Sequence, residues 1–214
     1  TQARRGQLVV DFCAGAGGKT LALGMGMRNT GRLYACDISA HRLEHIKPRL
    51  ARSGLNNVYP MAIADEHDDR LQRLAGKIDR VLVDAPCSGL GTLRRNPDLK
   101  WRQMPQLVPE LAQKQAAILR RAAPLLKSGG RLVYATCSLL RAENEAVAAT
   151  FTAEQKMFMP LNAAEILHAL KVPHAKHLCT QEMNAENISA GQYLRLWPDI
   201  HGTDGFFAAV WQKR

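Results

Sequence analysis

Short apolar segments alternate with longer amphipathic segments along the first 151 residues of this chain. The apolar segments predict strands over 7–12, 32–36, 58–62, 80–84 and 131–135, and the amphipathic segments predict helices over 19–27, 41–53, 68–74, 110–126 and 142–151. Pro48 lies inside the second predicted helix and lacks an N–H donor, so we expect a kink or an early end there. Alternation of this kind is typical of an α/β fold with a mostly parallel sheet.

The pattern weakens from 152 to 192, where mixed polarity without a clear period predicts no element. Order returns in two apolar and aromatic segments, 193–197 and 205–211, which are separated by a segment rich in turn-forming residues. These two segments predict an antiparallel hairpin at one edge of the sheet. We expect residues 1–214 to form a single domain, and because a core strand begins near Leu8, we expect the chain to be a piece of a longer one.

Composition and charge narrow the class of protein. With 214 residues, 46% of them hydrophobic, the chain can build one substantial core. It carries 29 Lys and Arg against 19 Asp and Glu, a net charge of +10 and a pI near 9.7, as is typical of proteins that bind a polyanion. The five cysteines have no C-x-x-C spacing, so we expect neither a disulfide framework nor a metal site.

The sequence also limits where the protein acts. No apolar run approaches the length needed to cross a bilayer, and no charged and then apolar signal segment opens the chain. We therefore expect no membrane partner, a cytoplasmic and reducing environment, and a monomer.

A glycine-rich turn follows the first predicted strand and leads directly into the first predicted helix. Glycine lets the backbone approach a ligand closely and adopt positive φ, and three ligand classes compete for such a turn. A nucleotide-binding P-loop would need glycine at Cys13, and a dinucleotide fingerprint would need glycine at Thr20. S-adenosylmethionine fits best, because its sites place an acidic residue at the strand end and small residues after it. The residues concerned are Asp11, Cys13, Ala14, Gly15, Gly17 and Gly18.

Aspartates also end the next strands of the predicted sheet. Asp37 lies at the distance from the glycines where an acidic residue accepts hydrogen bonds from ribose hydroxyls. Asp65 follows the third strand, where it could meet an adenine edge, and Asp84 ends the fourth. Each alone could equally be a turn or cap residue, but the series at successive strand ends favours a shared ligand site.

Two cysteines follow buried strands in punctuated loops, Cys87 in DAPCSG and Cys137 in TCS. A lone cysteine is often a small core residue, but a thiolate is also the nucleophile best suited to an electron-poor conjugated carbon. Carbon 5 of cytosine becomes nucleophilic only after a nucleophile adds at carbon 6, so the pair predicts covalent chemistry on a pyrimidine. Asp84 could act beside the ring as an acid at N3, and Lys19 could lower the pKa of a reacting thiol.

A basic and aromatic segment follows the Cys87 loop. Cations there could contact phosphates, and an indole or guanidinium plane could stack on an unpaired base. Trp101 could equally pack into the core. The candidate RNA-binding residues are Arg94, Arg95, Lys100, Trp101 and Arg102.

Four stretches together carry a resemblance to a known family: 11–20, DRVLVDAPCSGLGTLRRNPDLKWR at 79–102, GGRLVYATCS at 129–138 and TDGFFAAV at 203–210. They resemble the bacterial Sun/Fmu type of RNA cytosine-5 methyltransferases, in particular the 16S rRNA cytosine methyltransferase B family. The match is dense from Leu8 to Asn144, poor between Asn144 and Leu196, and resumes from Leu196. The chain has Gly15-Ala16 where the family commonly has Ala-Pro, so we expect a more flexible donor loop.

The resemblance implies a fold and a division of labour. The fold is that of a class I S-adenosylmethionine-dependent methyltransferase, a Rossmann-like, mostly parallel seven-stranded sheet with a C-terminal antiparallel hairpin. The cysteine of T-C-S, Cys137, would be the nucleophile, and that of P-C-S-G, Cys87, would assist product release. The donor and base sites would be lined by Lys19, Asp37, Arg42, Asp65 and Asp84. The substrate would be RNA, specifically 16S rRNA, and an N-terminal RNA-binding region would be missing from this chain.

Three other classes of protein remain as alternatives. A DNA cytosine-5 methyltransferase would use Cys87 as its nucleophile and could dispense with Cys137. A P-loop NTPase would pair Lys19 and Thr20 with Asp84 as a magnesium ligand. A non-catalytic RNA-binding module would keep the basic surface and transfer no methyl group.

Overall fold

Strands and helices alternate in a computed structural model of the chain, which describes residues 1–65, 68–181 and 189–214. The strands are β1 (Leu8–Asp11), β2 (Arg32–Asp37), β3 (Val58–Ala62), β4 (Ile78–Asp84), β5 (Leu126–Thr136), β6 (Phe158–Leu161), β7 (Leu194–Leu196) and β8 (Phe206–Lys213). The helices are α1 (Gly18–Gly26), α2 (Ala40–Glu44), α3 (Ile46–Ser53), α4 (Asp69–Gln72), α5 (Leu99–Arg102), α6 (Leu107–Ala122), α7 (Glu145–Glu154), α8 (Ala163–Ala169) and α9 (Pro198–His201). Short 3-10 turns occupy Leu90–Thr92, Ala123–Leu125 and Arg141–Glu143.

The chain divides into two compact units. The first unit comprises residues 1–84, 117–133 and 213–214, and the second comprises residues 85–116 and 134–212. The expectation of a single domain over 1–214 stays a prediction. Within the described ranges, no helix is both long and apolar enough to cross a membrane.

The first unit is built on parallel strands in the order β3-β2-β1-β4. Val9 and Val10 of β1 and Val81 of β4 are completely buried. A parallel strand that is covered on both faces needs apolar residues at every position, and these strands accordingly have continuous apolar runs. The register pairs Asp11 with Leu82 of β4, and it pairs Asp37 of β2 with Ala62 of β3. Since parallel strands end at one edge of a sheet, the aspartates that close β1, β2 and β4 share that edge.

The second unit contains the end of β5, then β8, then β6, and β7 pairs antiparallel with β8. Its core is aromatic: Phe151 lies edge-on to Trp211 with ring centroids 4.8 Å apart, and Phe207 is completely buried. The predicted antiparallel pairing of the last two segments is confirmed. Its predicted position at the sheet edge is wrong, because β6 lies beyond β8.

Strand β6 and helix α8 lie in the stretch for which the sequence predicted no element, and residues 182–188 of that stretch lie outside the described residues. The strand was missed because it is four residues long, contains Pro160, and buries only Phe158 fully. The described residues therefore form eight strands, one more than the expected seven.

The break in the second predicted helix comes earlier than Pro48. Helix α2 ends at Glu44 and α3 begins at Ile46, so Pro48 is the third residue of α3. The first N–H groups of a helix have no partner within it, and a proline in the first turn therefore removes no hydrogen bond.

Candidate active site

The turn between β1 and α1 is fixed to the strands on both sides of β1 in the first unit. The Phe12 N–H donates to the Leu82 carbonyl of β4, and the Ala14 N–H donates to the Cys36 carbonyl of β2, each at 2.8 Å. Residues 12–17, which we call the donor loop, are thereby held at the carboxyl edge of the strands. Ligands bind at this edge in open α/β sheets.

Two glycines of the donor loop have left-handed backbone conformations for different reasons. Gly17 has φ +86°, and a Cβ there would lie 2.7 Å from Cγ1 of Ile46, so the loop needs glycine to pack against α3. Gly15 has φ +54°, and a Cβ there would meet nothing within 4 Å. Space beside Gly15 is the kind of close approach that a glycine-rich loop offers a ligand.

Asp37 is built into the donor loop. Its Oδ2 accepts the Gly15 N–H at 2.8 Å, its Oδ1 accepts the Ser39 N–H at 2.8 Å, and Arg42 Nη2 lies 3.0 Å from Oδ1. The structure thus brings together three predicted site residues, Gly15, Asp37 and Arg42. Arg42 was implied by the resemblance alone, and its contact is with the acidic side chain predicted to meet a ribose.

Asp11 is almost completely buried below the donor loop. Its Oδ2 accepts the Thr20 hydroxyl at 2.7 Å, while its Oδ1 is buried and has no hydrogen-bond partner. Burial raises the pKa of Asp11 to about 6, with the neighbouring carboxylates of Asp84 and Asp37 adding to the effect. Three carboxylates grouped around one glycine turn fit a ligand that carries positive charge and hydroxyl donors, and a sulfonium nucleoside is such a ligand.

Lys19 and Asp84 form an ion pair, with Lys19 Nζ 2.7 Å from Asp84 Oδ2. A cation in the first turn of α1 interacts unfavourably with the helix dipole. The Asp84 carboxylate at the end of β4 offsets this by pairing with Lys19. Both side chains are partly exposed, at 44% and 29%, so the pair faces solvent rather than the core.

The remaining predicted donor-site residues lie in or beside the same unit's loops. Cys13 and Ala14 belong to the donor loop, and burial raises the pKa of the Cys13 thiol. Gly18 is the first residue of α1. Asp65 lies exposed beyond β3, where its carbonyl accepts the Asp68 N–H at 3.4 Å.

The two cysteine loops lie side by side in the second unit. The Sγ atoms of Cys87 and Cys137 are 3.5 Å apart, both residues are partly exposed, and the Gly91 N–H donates to the Cys137 carbonyl at 2.8 Å. The hydrogen bond with Cys137 and burial raise the pKa of Cys87. The expectation that Lys19 lowers the pKa of the reacting thiol stays a prediction.

Sequence reasoning missed a buried polar cluster around these loops. It consists of Gln115 of α6 together with Glu143 and Asn144 before α7, all with no exposed surface. Glu143 accepts hydrogen bonds from Ser88 and Ser138, the residues that follow the two cysteines. The available signal was a set of polar residues at core positions, such as Gln115 one turn before Ile118 and Leu119.

The basic segment of the second unit is partly occupied by internal ion pairs. Arg95 contacts Asp204, and Arg94 donates to the Gly202 carbonyl at 2.6 Å. Arg102 Nη2 lies 2.5 Å from Asp98 Oδ2 within α5. Trp101 is 80% exposed, and Lys100 Nζ lies 4.8 Å from the centre of its ring. Trp101 is therefore a surface residue, and the alternative that it packs into the core is wrong.

No group of three or more His, Cys, Asp or Glu side chains within residues 1–65, 68–181 and 189–214 is arranged to hold a metal ion.

Comparison with known proteins connects these features to a family. The family model described as 16S rRNA methyltransferase RsmB/F matches residues 2–212. Ribosomal RNA small subunit methyltransferase F of Aeromonas salmonicida is 34% identical over 217 residues, which cover 99% of this chain and 41% of that protein. Ribosomal RNA small subunit methyltransferase B of Escherichia coli O127:H6 is 42% identical over 144 residues, 66% of this chain and 32% of that protein.

Solved structures agree with the sequence comparisons. The crystal structure of NSun6 from Pyrococcus horikoshii with SFG has a TM-score of 0.75 and 28% identity, covering 97% of this chain and 48% of that one. The predicted Rossmann-like methyltransferase fold is confirmed. The chain spans about two fifths of the length of the first curated relatives it matches. It belongs to the 16S rRNA methyltransferase RsmB/F family of S-adenosylmethionine-dependent methyltransferases.

Proposed function

We propose that this chain methylates carbon 5 of a cytosine in RNA, specifically 16S rRNA, through a transient bond between Cys137 and carbon 6 of the base. The observation that carries the proposal is the pair of partly exposed thiols, Cys87 and Cys137, whose sulfur atoms lie 3.5 Å apart. A single nucleophile suffices to open the reaction, whereas two adjacent thiols suit a cycle that must both form and break a carbon–sulfur bond. The proposal includes a monomer acting in the cytoplasm, where bacterial ribosomal RNA is processed.

The roles within the pair follow the resemblance to the Sun/Fmu methyltransferases, in which the cysteine of T-C-S is the nucleophile and that of P-C-S-G assists release. Only a thiolate is strongly nucleophilic, so Cys137 must lose its proton before it attacks. The Cys87 sulfur, 3.5 Å away, is close enough to exchange a proton with it. We therefore assign attack to Cys137 and release to Cys87.

The proposed cycle begins and ends with a free Cys137 thiolate. The Cys137 sulfur bonds to carbon 6, and the electron pair of the 5,6 double bond makes carbon 5 nucleophilic. S-adenosylmethionine, when bound, would supply its sulfonium methyl group to carbon 5 and would leave as S-adenosylhomocysteine. Loss of the carbon 5 proton to a base restores the double bond as the carbon–sulfur bond breaks, and Cys137 leaves as a thiolate. Cys87 can protonate that departing thiolate.

The residues of the first unit would hold the methyl donor. Asp37 and the open side of Gly15 would accept the nucleoside part, and the grouped carboxylates of Asp11, Asp37 and Asp84 would attract the sulfonium.

The product of the reaction tests the proposal. Incubation of the chain with methyl-labelled S-adenosylmethionine and protein-free 16S rRNA is expected to place the label in 5-methylcytidine after digestion to nucleosides. Duplex DNA of matched length is the control and should stay unlabelled. Label in 5-methyldeoxycytidine would instead favour the DNA enzyme, calorimetric binding of ATP in place of S-adenosylmethionine would favour the NTPase, and RNA binding without label would favour the non-catalytic module.

RNA contact by the surface of α5 gives a separate prediction. Trp101→Ala is expected to weaken single-stranded RNA binding by about 5- to 150-fold, because stacking on an exposed indole is worth roughly 1–3 kcal/mol. Lys100→Ala should reduce the slope of log affinity against log salt by about 0.7, the value for one phosphate contact on a single strand. Fluorescence anisotropy over a salt series measures both.

The matched control for Trp101 is Met157→Ala, which removes a large exposed apolar side chain, 55% exposed, from another surface of the second unit. It should leave RNA affinity unchanged. Equal losses for the two variants, or a slope that Lys100→Ala does not alter, would argue against RNA contact at α5.

A further inference from the structure

Glu143 is a fully buried carboxylate whose hydrogen-bonding capacity is filled by neutral donors. Its Oε1 accepts the Ser88 N–H at 2.8 Å and Gln115 Nε2 at 3.1 Å. Its Oε2 accepts the Ser88 hydroxyl at 2.6 Å and the Ser138 hydroxyl at 2.5 Å. Two accepted hydrogen bonds on each oxygen is about the full capacity of a carboxylate. Burial of a charge is costly unless it is fully hydrogen-bonded, so the arrangement calls for a reason beyond packing.

These contacts join two loops that are far apart in sequence. Ser88 follows Cys87 and Ser138 follows Cys137, and the two hydroxyl oxygens also lie 3.1 Å from each other. One carboxylate therefore fixes the residue after each cysteine, and it does so with the backbone of one loop and the side chains of both.

The residues before the cysteines are held by the neighbours of Glu143. Gln115 Nε2 donates to the carbonyl of Pro86 at 2.9 Å as well as to Glu143. The Thr136 hydroxyl donates to Asn144 Oδ1 at 2.5 Å, and Asn144 Nδ2 donates to the Ser138 carbonyl at 2.9 Å. Each cysteine is thus bracketed on both sides, while the sulfur atoms themselves stay outside the buried cluster.

We propose that Glu143 is a positioning residue that sets the 3.5 Å separation of the Cys87 and Cys137 sulfur atoms by accepting hydrogen bonds from Ser88 and Ser138. The proposal deepens the proposed function and rests on it for its catalytic meaning. The separation of the two sulfur atoms matters because a misplacement of a reacting group by about 1 Å can lower the reaction rate about 100-fold. Glu143 acts through the two loops and contacts no reacting atom.

The informative variant is Glu143→Gln, which keeps the shape of the side chain and replaces one acceptor oxygen by a donor. Whichever way the amide is turned, its NH2 group faces either the Ser88 N–H and Gln115 Nε2 or the two serine hydroxyls, so two of the four accepted hydrogen bonds are lost. Ser138→Ala is the second variant, since it removes a single bond of the cluster and tests the same contact from the loop side.

The first readout needs neither RNA nor methyl transfer. Glutathione disulfide oxidises the two thiols to a Cys87–Cys137 disulfide, and two protons and two electrons pass to it to give two molecules of glutathione. The rate of closure reports how well the sulfurs are placed, because a disulfide forms only within narrow distance and angle limits. Glu143→Gln is expected to slow closure about 10- to 100-fold, as followed by alkylation and mass spectrometry.

The second readout is the covalent RNA intermediate. If Cys87 assists release, its displacement should slow release, so Glu143→Gln should lower kcat about 10- to 100-fold and accumulate an RNA adduct on denaturing gels. The KM for S-adenosylmethionine should stay within about twofold, since uniform binding is untouched. General loss of stability would lower the amount of active protein without accumulating an adduct.

The matched control is Glu145→Gln, which alters another buried glutamate of the second unit. Glu145 lies 3.4 Å from Arg195 Nε, and removal of its charge leaves a buried arginine unpaired, so its loss should destabilise the fold at least as much. Closure and adduct levels should nevertheless match those of the unaltered chain.

The outcomes separate the two proposals. Slow closure in Glu143→Gln together with an unaltered chain that transfers no methyl group would overturn the proposed function and support the positioning role. Normal methyl transfer by the unaltered chain, with closure and adduct levels in Glu143→Gln equal to those of Glu145→Gln, would overturn the positioning role and leave the function standing.

Discussion

Cys137→Ala should abolish methyl transfer to RNA, with turnover lower by at least about a thousandfold, because removal of a covalent nucleophile leaves only binding and orientation. Because the Cys87 and Cys137 sulfur atoms lie 3.5 Å apart, we also expect an effect from Cys87, but a different one. Cys87→Ala should still form the bond between Cys137 and the base but release it slowly. It should therefore accumulate an RNA–protein adduct that survives a denaturing gel.

Labelled methyl incorporation and gel mobility measure the two effects in one reaction. Cys179→Ala is the control, because Cys179 is buried in the same unit and packs in a small apolar cluster with Ala163 and Ala164. It should behave like the unaltered chain. An adduct in Cys137→Ala, or loss of transfer in Cys87→Ala without an adduct, would reverse the roles and favour the alternative in which Cys87 is the nucleophile. Equal and mild effects of both changes would exclude a covalent cycle at this pair.

The second large effect is expected from the two glycines of the donor loop. Gly17→Ala should destabilise the fold by about 3 kcal/mol, because left-handed backbone costs a non-glycine residue roughly 1–2 kcal/mol and overpacking costs roughly 1–3 kcal/mol. The overpacking is specific, since the new methyl group would lie 2.7 Å from Cγ1 of the fully buried Ile46. A loss of that size lowers the melting temperature of a chain of this length by about 6–12 °C.

Gly15→Ala should act on the donor and only slightly on stability. The new Cβ meets no protein atom within 4 Å, so the free energy of unfolding should fall by about 1–2 kcal/mol, from backbone strain alone. If the donor lies against this glycine, the methyl group occupies space that the ligand needs, and affinity for S-adenosylmethionine should fall at least about tenfold. Calorimetry and thermal melting separate the two glycines.

Gly76→Ala is the matched control, because Gly76 has φ +69° and equally open space, and lies in the same unit in the turn before β4. It should show the stability loss of Gly15→Ala and unchanged donor affinity. If Gly15→Ala binds S-adenosylmethionine as tightly as Gly76→Ala does, the donor does not lie against this loop.

Much of the secondary structure of the first unit could be predicted from local sequence. The strand β3 was predicted with its bounds, and β1, β2 and β4 were predicted within two residues, because each combines a short apolar run with punctuation on both sides. Asp37 was predicted from its spacing, and the structure places it in contact with Gly15 of the donor loop. Periodicity failed where elements are short or half-exposed, as in β6, whose two central residues face solvent.

The second unit depended more on tertiary structure. Strand β8 was predicted together with its antiparallel partner β7, but its places beside β5 and β6 were not, because the pairing of strands that are distant in sequence leaves no periodic signal. The raised pKa of Cys87 was likewise hidden, since it comes from burial and from a sulfur 50 residues away in the chain.

The sequence by itself determined the alternation of strands and helices, the glycine turn with its aspartates, and the two cysteine motifs, because each of these depends on neighbouring residues or on the regular geometry of parallel strands. Only the tertiary structure decided that Lys19 pairs with Asp84, that the sulfurs of Cys87 and Cys137 are adjacent, and that Glu143 joins their loops. The partners in these contacts lie between 5 and 65 residues apart in the chain. Such contacts form only when the whole unit packs, so no local pattern of residues specifies them.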